Sequence, residues 1–261
     1  MKVLSHWEAV LVSYSEEKRR WDRTYPWIYY GARPLSFLLT RIALWFHLTP
    51  NQVTFLSFLA GMGAFFLMAW GGVGIIAGSC LFAFLNILDC VDGNMARMRQ
   101  ESSPLGKFYD AMVGLVFYLV YFALGLGLYR TPDSSLSLVL AAFGVGTIPP
   151  VVYLLLGAAA TLSRYLVLQL QQLFHVFTRE LDSYEEREKT EGSVPFRKRW
   201  YYRLYHNTTD VQGQDPILIG AAATGLAGLY LTLSALVQFL NLIGLAIVYV
   251  RRARTLYRMT A

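Results

Sequence analysis

The sequence predicts an all-α, polytopic membrane protein with six transmembrane helices preceded by an amphipathic interfacial helix. Three observations carry this. The chain is 55% hydrophobic with mean hydropathy +0.40 over 261 residues, more apolar surface than a soluble domain of this size can bury. No Asp, Glu, Lys or Arg occurs from Ile42 to Leu88, and none from Pro216 to Val250. The remaining charge is gathered into short runs between apolar stretches.

Residues 1–28 are polar, with a charge run from Glu16 to Arg23, and read as a solvated helix. Met1 to Arg20 lacks the apolar core of a cleavable signal. Tyr25 to His47 mixes Pro26, Arg33, Pro34 and Arg41 with aromatics and leucines. It is amphipathic and too interrupted to cross a bilayer, so it is expected to lie at headgroup level. These residues form the first unit, 1–48. The second, 49–261, is the membrane domain with a polar insertion at 161–213.

Thr49-Pro50 starts the first span, with Thr49 as cap and Pro50 at the first helical position. A bilayer core of ~30 Å takes roughly 20 helical residues. The long uncharged run is therefore two spans, about 52–70 and 74–98, broken at Gly71-Gly72-Val73-Gly74. Span 3 is expected from about Leu105 to Tyr129 and span 4 from Leu136 to Ala160, kinked or broken at Pro149-Pro150. The insertion carries Leu162, Tyr165, Leu166, Leu173 and Phe177 at helical spacing, then Arg197-Lys198-Arg199-Trp200-Tyr201-Tyr202-Arg203. That basic, aromatic cluster suits anionic lipid at the headgroup level rather than nucleic acid. Pro216 to Val250 is too long for one span and is expected to divide near Leu233 into spans 5 and 6.

With the N-terminus in the cytosol, every Lys and Arg except Arg130 falls on the cytosolic side, including Arg251, Arg252, Arg254 and Arg258. The negative inner leaflet accounts for the net charge of +6, and membrane lipid is the partner it implies. Cys80 and Cys90 lie in apolar helices without metal-ligand spacing and read as packing residues.

Function points to Asp89-Cys90-Val91-Asp92-Gly93-Asn94-Met95-Ala96-Arg97, followed by Gly106 and Asp110. Carboxylates at a bilayer edge are costly and need a cation or counter-charge. On a helix, Asp89, Asp92, Gly93, Ala96 and Arg97 share one face, and Gly106 and Asp110 share a face of the next. Two such helices give an oxygen-rich pocket for a hard divalent cation, with an Arg for phosphate.

The pattern Asp89-x2-Asp92-Gly93-x2-Ala96-Arg97-x8-Gly106-x3-Asp110 resembles the signature of the CDP-alcohol phosphotransferases, membrane enzymes of phospholipid head-group synthesis. The resemblance implies a CDP-linked donor, Mg²⁺ or Mn²⁺ on Asp89, Asp92 and Asp110, and release of CMP. It implies donor contacts at Gly93, Ala96, Arg97, Ser103 and Gly106, and, through the Thr-Pro-Asn-x-Val-Thr stretch, at Asn51 and Thr54. The Lys and Arg placement sets the signature on the cytosolic side of a cytoplasmic membrane protein, and a homodimer is possible. Arg33-Pro34-Leu35-Ser36 is similar to branches that take polar CDP-alcohols.

The family pattern ends on one more Asp, which serves as base for the acceptor hydroxyl. This chain has Gly114 there. A base from elsewhere (Asp210, Asp215 or His206), a degenerate nucleotide- or lipid-binding homologue, or an acceptor already ionised would each account for the change. His6, His47 and His175 are remote along the chain. An intramembrane prenyltransferase would need a second close Asp pair, and Asp210 and Asp215 have the wrong spacing for one helical face.

Overall fold

The computed structural model describes residues 10–11, 14–99, 104–144, 146–179, 200–210 and 213–260. It is all-α, and five of its helices are long and apolar enough to cross a membrane: Pro50–Trp70, Val73–Arg99, Phe108–Arg130, Val151–Thr178 and Ala227–Arg258.

Helix α1 (Glu16–Asp22) is capped by Ser15, whose side chain accepts from the Lys18 amide. A π-helical turn at Ile28–Ala32 leads into α2 (Arg33–Trp45). This is the amphipathic helix of the sequence reading, with its polar side turned inward. Arg33, Ser36 and Thr40 are buried, while Leu35, Leu38, Ile42 and Trp45 point outward. An apolar outer face suits a helix lying in lipid headgroups, and the buried polar face must then find partners inside the protein.

Helix α3 (Pro50–Trp70) begins with a capping box: Thr49 Oγ1 accepts from the Gln52 amide, and Gln52 Oε1 accepts from the Thr49 amide. It turns back into α4 (Val73–Arg99) through Gly71 and Gly72, at φ +92° and +54°, values a side chain at either position would resist. The third crossing divides at Leu119 into α5 (Pro104–Tyr118) and α6 (Val120–Arg130). Thr161 Oγ1 donates to the Tyr118 carbonyl at this break.

Three expectations need correction. The span placed at Leu136–Ala160 is not formed there. A short helix α7 (Ser135–Ala141) ends well before Pro149-Pro150, and the crossing helix is α8 (Val151–Arg179), which starts after the prolines. Two prolines suit a helix start better than its interior. Leu162 to Phe177, assigned to the polar insertion, therefore belong to α8. The last apolar stretch does not divide near Leu233: α11 (Ala227–Thr260) is continuous through it, and the break falls earlier, with Gly225 at φ +73°. Nor is the sixth span a full helix. The preceding α9 (Trp200–Thr209) and α10 (Asp215–Ala223) are short, and α10, at about 13 Å, is less than half a bilayer core.

A return crossing is nonetheless required. Gly228 lies against Tyr153, and Tyr249 stacks on Phe174 with ring centroids 4.7 Å apart. The two pairs are separated by the same interval in sequence, so α8 and α11 run parallel. The segment containing α9 and α10 brings the chain back between them. Consequently α4, α8 and α11 all end at the side of the bundle where α3 and α5 begin, and the signature residues lie at that end.

Candidate active site

Asp89 and Asp92 stand on α4 and Asp110 on α5, and one carboxylate oxygen from each lies within 4.8 Å of the others. Asp89 is half-buried, Asp92 buried and Asp110 exposed. Thr54, one turn into α3, donates through Oγ1 to Asp92 Oδ2 at 2.7 Å. The first turn of α3 thus holds one carboxylate of the cluster. Asn51, on the turn before, is exposed at the helix start.

Three hard oxygen ligands converging from two helices fit Mg²⁺ or Mn²⁺ rather than a softer metal. Lys18 on α1 and Arg33 on α2 are near enough for their charges to act on Asp89, and Lys18 acts on Asp110 as well.

Arg97 lies two turns beyond Asp89. Its guanidinium runs along Gly93, with Nη1 3.4 Å from where a Gly93 side chain would begin. Its Nη2 donates to Asn94 Oδ1 at 2.8 Å, its Nε is buried without a hydrogen-bond partner, and among the described residues it pairs with no carboxylate. Ala96 and Gly106 are half-buried near the same helix ends. Ser103 falls outside the described residues, as do His6 and the side chains of the Arg197–Arg203 cluster.

Around a Cβ built at Gly114, nothing lies within 4 Å. Among the described residues, none fills the space where the family's carboxylate would stand. Each of the proposed substitutes has polar partners of its own. Asp210 accepts from the Tyr25 hydroxyl at 2.9 Å and pairs with Arg164 at 3.3 Å. Asp215 accepts from Trp27 Nε1 and Asn86 Nδ2. His206 Nδ1 lies 3.2 Å from the Tyr25 hydroxyl. Arg164 also sits over the ring of Tyr118, 5.3 Å from its centroid, and Tyr118 is one turn beyond Gly114 on the same face.

The sequence profile of the CDP-alcohol phosphatidyltransferases matches residues 47–175, the stretch that carries every signature position from Asn51 to Gly114. Over residues 47–175, about half of the chain, the sequence is similar to the CDP-alcohol phosphatidyltransferases. Proteins of that family are transferases that use a CDP-activated donor. A curated relative, the "Bifunctional IPC transferase and DIPP synthase" of Rubrobacter xylanophilus, is 46% identical over 65 residues, 24% of this chain. The matched part is 14% of that relative's length.

The three aspartates named from the sequence come together here, but reasoning from sequence missed what lies behind them. Asp22, Arg33, Ser36, Thr40 and Asn94 form a buried polar cluster behind Arg97. A signal was available in the spacing of Arg33, Ser36 and Thr40, which share a helical face.

Proposed function

We propose that this chain is a CDP-alcohol phosphatidyltransferase that transfers a phosphate-linked group from a CDP-activated donor to an acceptor that is already ionised. The observation that carries the donor half is the convergence of Asp89, Asp92 and Asp110 within 4.8 Å. Those three residues would hold Mg²⁺ or Mn²⁺, which neutralises charge on the donor's pyrophosphate. Arg97 pairs a donor phosphate, and Gly93, Ala96 and Gly106 let the nucleotide approach the helices, with Asn51, Thr54 and Ser103 contributing from the adjoining turns.

The acceptor half is supported by what is absent at Gly114. A neutral hydroxyl attacking phosphorus must lose its proton, and the family's base position holds no side chain. An acceptor phosphate, phosphonate or carboxylate needs no such step. It fits the open space beside Gly114, where Tyr118, one turn further along that face, lies under Arg164, which pairs with Asp210. The distribution of Lys and Arg supports a cytosolic orientation, since α11 ends at the signature side with Arg251, Arg252, Arg254 and Arg258, while Arg130 lies at the other.

The test is CMP release by the purified protein with Mn²⁺ and a panel of CDP-linked donors, offering neutral alcohols and ionised acceptors in parallel. Turnover confined to ionised acceptors supports the reading. Turnover of neutral alcohols alone overturns it. No CMP release from any pair, with CDP still bound, would leave a nucleotide-binding homologue without transfer activity.

A further inference from the structure

We propose that Asn94, one of the variable positions inside the signature, is the positioning residue that aims Arg97 at the donor, and that α2 fixes its orientation. The proposal rests on the reading of Arg97 as a donor-phosphate contact. Asn94 is fully buried and uses all of its hydrogen-bonding capacity. Its amide hydrogens go to Ser36 Oγ at 3.1 Å and Thr40 Oγ1 at 3.2 Å. Its oxygen accepts from Arg33 Nη1 at 3.0 Å and Arg97 Nη2 at 2.8 Å.

The amide has one way to sit. Ser36 Oγ donates its own hydrogen to the Arg33 carbonyl, and Thr40 Oγ1 donates to the Ser36 carbonyl. Both hydroxyls have only lone pairs left for Asn94, so its NH2 group must face them. Its oxygen must then face the two guanidiniums. A flipped amide would set NH2 against two cations and oxygen against two committed hydroxyls, losing four hydrogen bonds in a buried site.

Charge explains why this residue is neutral. Arg33 is already compensated by Asp22 at 2.7 Å, a buried pair that Lys18 also joins at 3.4 Å. Arg97 shares the Asn94 oxygen with Arg33 but pairs with no carboxylate among the described residues. The amide holds the Arg97 guanidinium in place without cancelling its charge, which remains available to an anion. A carboxylate at 94 would cancel that charge and compete with the donor's phosphates for Arg97, besides losing the two hydrogen bonds to Ser36 and Thr40.

The test compares binding of Mn²⁺ alone with binding of CDP in the presence of Mn²⁺, by the full chain in detergent, for wild type, Asn94→Asp and Thr40→Val. For Asn94→Asp, CDP affinity is expected to fall about tenfold or more while Mn²⁺ affinity does not fall, and Tm is expected to drop because the Ser36 and Thr40 hydrogen bonds are lost. Thr40→Val leaves the Asn94 amide one partner short, and CDP affinity is expected to fall roughly threefold with Mn²⁺ affinity unchanged. Unchanged CDP affinity in Asn94→Asp overturns the proposal, as does equal loss of CDP and Mn²⁺ with a collapsed Tm in both variants, which would mark the cluster as a fold element only. If Asn94→Asp alone fails to fold, Thr40→Val decides by the same criterion. A wild-type protein that takes Mn²⁺ but not CDP would instead overturn the donor reading, and this inference with it.

Discussion

The two helices that supply the acidic cluster set their residues in opposite surroundings. On α4, Asp92 is buried and held by Thr54, and Arg97 is held by Asn94, itself fixed by Ser36, Thr40 and Arg33. On α5, Asp110 is exposed and Gly114 faces open space. One wall is organised before any ligand arrives, and the other leaves room for one. Under the proposed function, ordering this wall suits it to stabilise charge at defined atoms. The α5 wall carries no side chain at Gly114, which agrees with the proposal of an acceptor that brings its own negative charge.

Breaking the ordered wall should have the largest effect. Asp92→Asn keeps the shape and the Thr54 hydrogen bond but removes a charged ligand, and Mn²⁺-dependent transfer is expected to fall on the order of a hundredfold or more. The measurement is CMP release over a Mn²⁺ titration, with Tm followed to show that the bundle persists. Gly114→Asp probes the open wall in the other direction. The new side chain meets no neighbour within 4 Å of its Cβ, so it is expected to fold. Turnover with hydroxyl acceptors should rise by about tenfold or more, as restored general-base catalysis allows, while ionised acceptors are slowed by the added charge. A fall for both acceptor types would mean that Gly114 is not where the base is missing.

Support for the ordered wall can be weakened without touching a ligand. Thr54→Val removes the hydroxyl that orients Asp92 and replaces it with a group of nearly the same shape. Mn²⁺ affinity is expected to fall about tenfold, the usual cost of losing an outer-shell partner. Equal Mn²⁺ affinity in the two proteins would show that Asp92 is oriented by its helix alone.

The ordered wall was also the more legible of the two in the sequence. Asp89, Asp92 and Arg97 share a helical face by spacing alone, and a helix is rigid enough for spacing to become geometry. The capping box at Thr49 and the turn at Gly71-Gly72 were readable for the same reason, since each depends on residues close in the chain. What stayed hidden depends on distant pairings. Nothing near Asn94 says that its partners are Arg33, Ser36 and Thr40, more than fifty positions away. Hydropathy likewise could not show that α8 and α11 run parallel, so an even division of the last apolar stretch was the natural expectation. The break instead follows Gly225, where the chain needs a positive φ, and local chemistry overrode the length rule.

The smallest effect is expected from Gly114→Ala, and it separates empty volume from packed volume on the α5 wall. Glycine inside a helix is less favourable than alanine by about 1 kcal/mol, so an alanine that meets nothing should raise Tm slightly. Glycines that serve close packing behave differently. A Cβ at Gly125 would lie 2.6 Å from the Tyr153 carbonyl oxygen, and Gly125→Ala should lower Tm. Mn²⁺ and CDP affinity should be unchanged in Gly114→Ala, because the donor wall is not touched. A methyl that lowers Tm at position 114 would show the space to be filled by the protein itself, and the acceptor would then have to be sought at another face of the site.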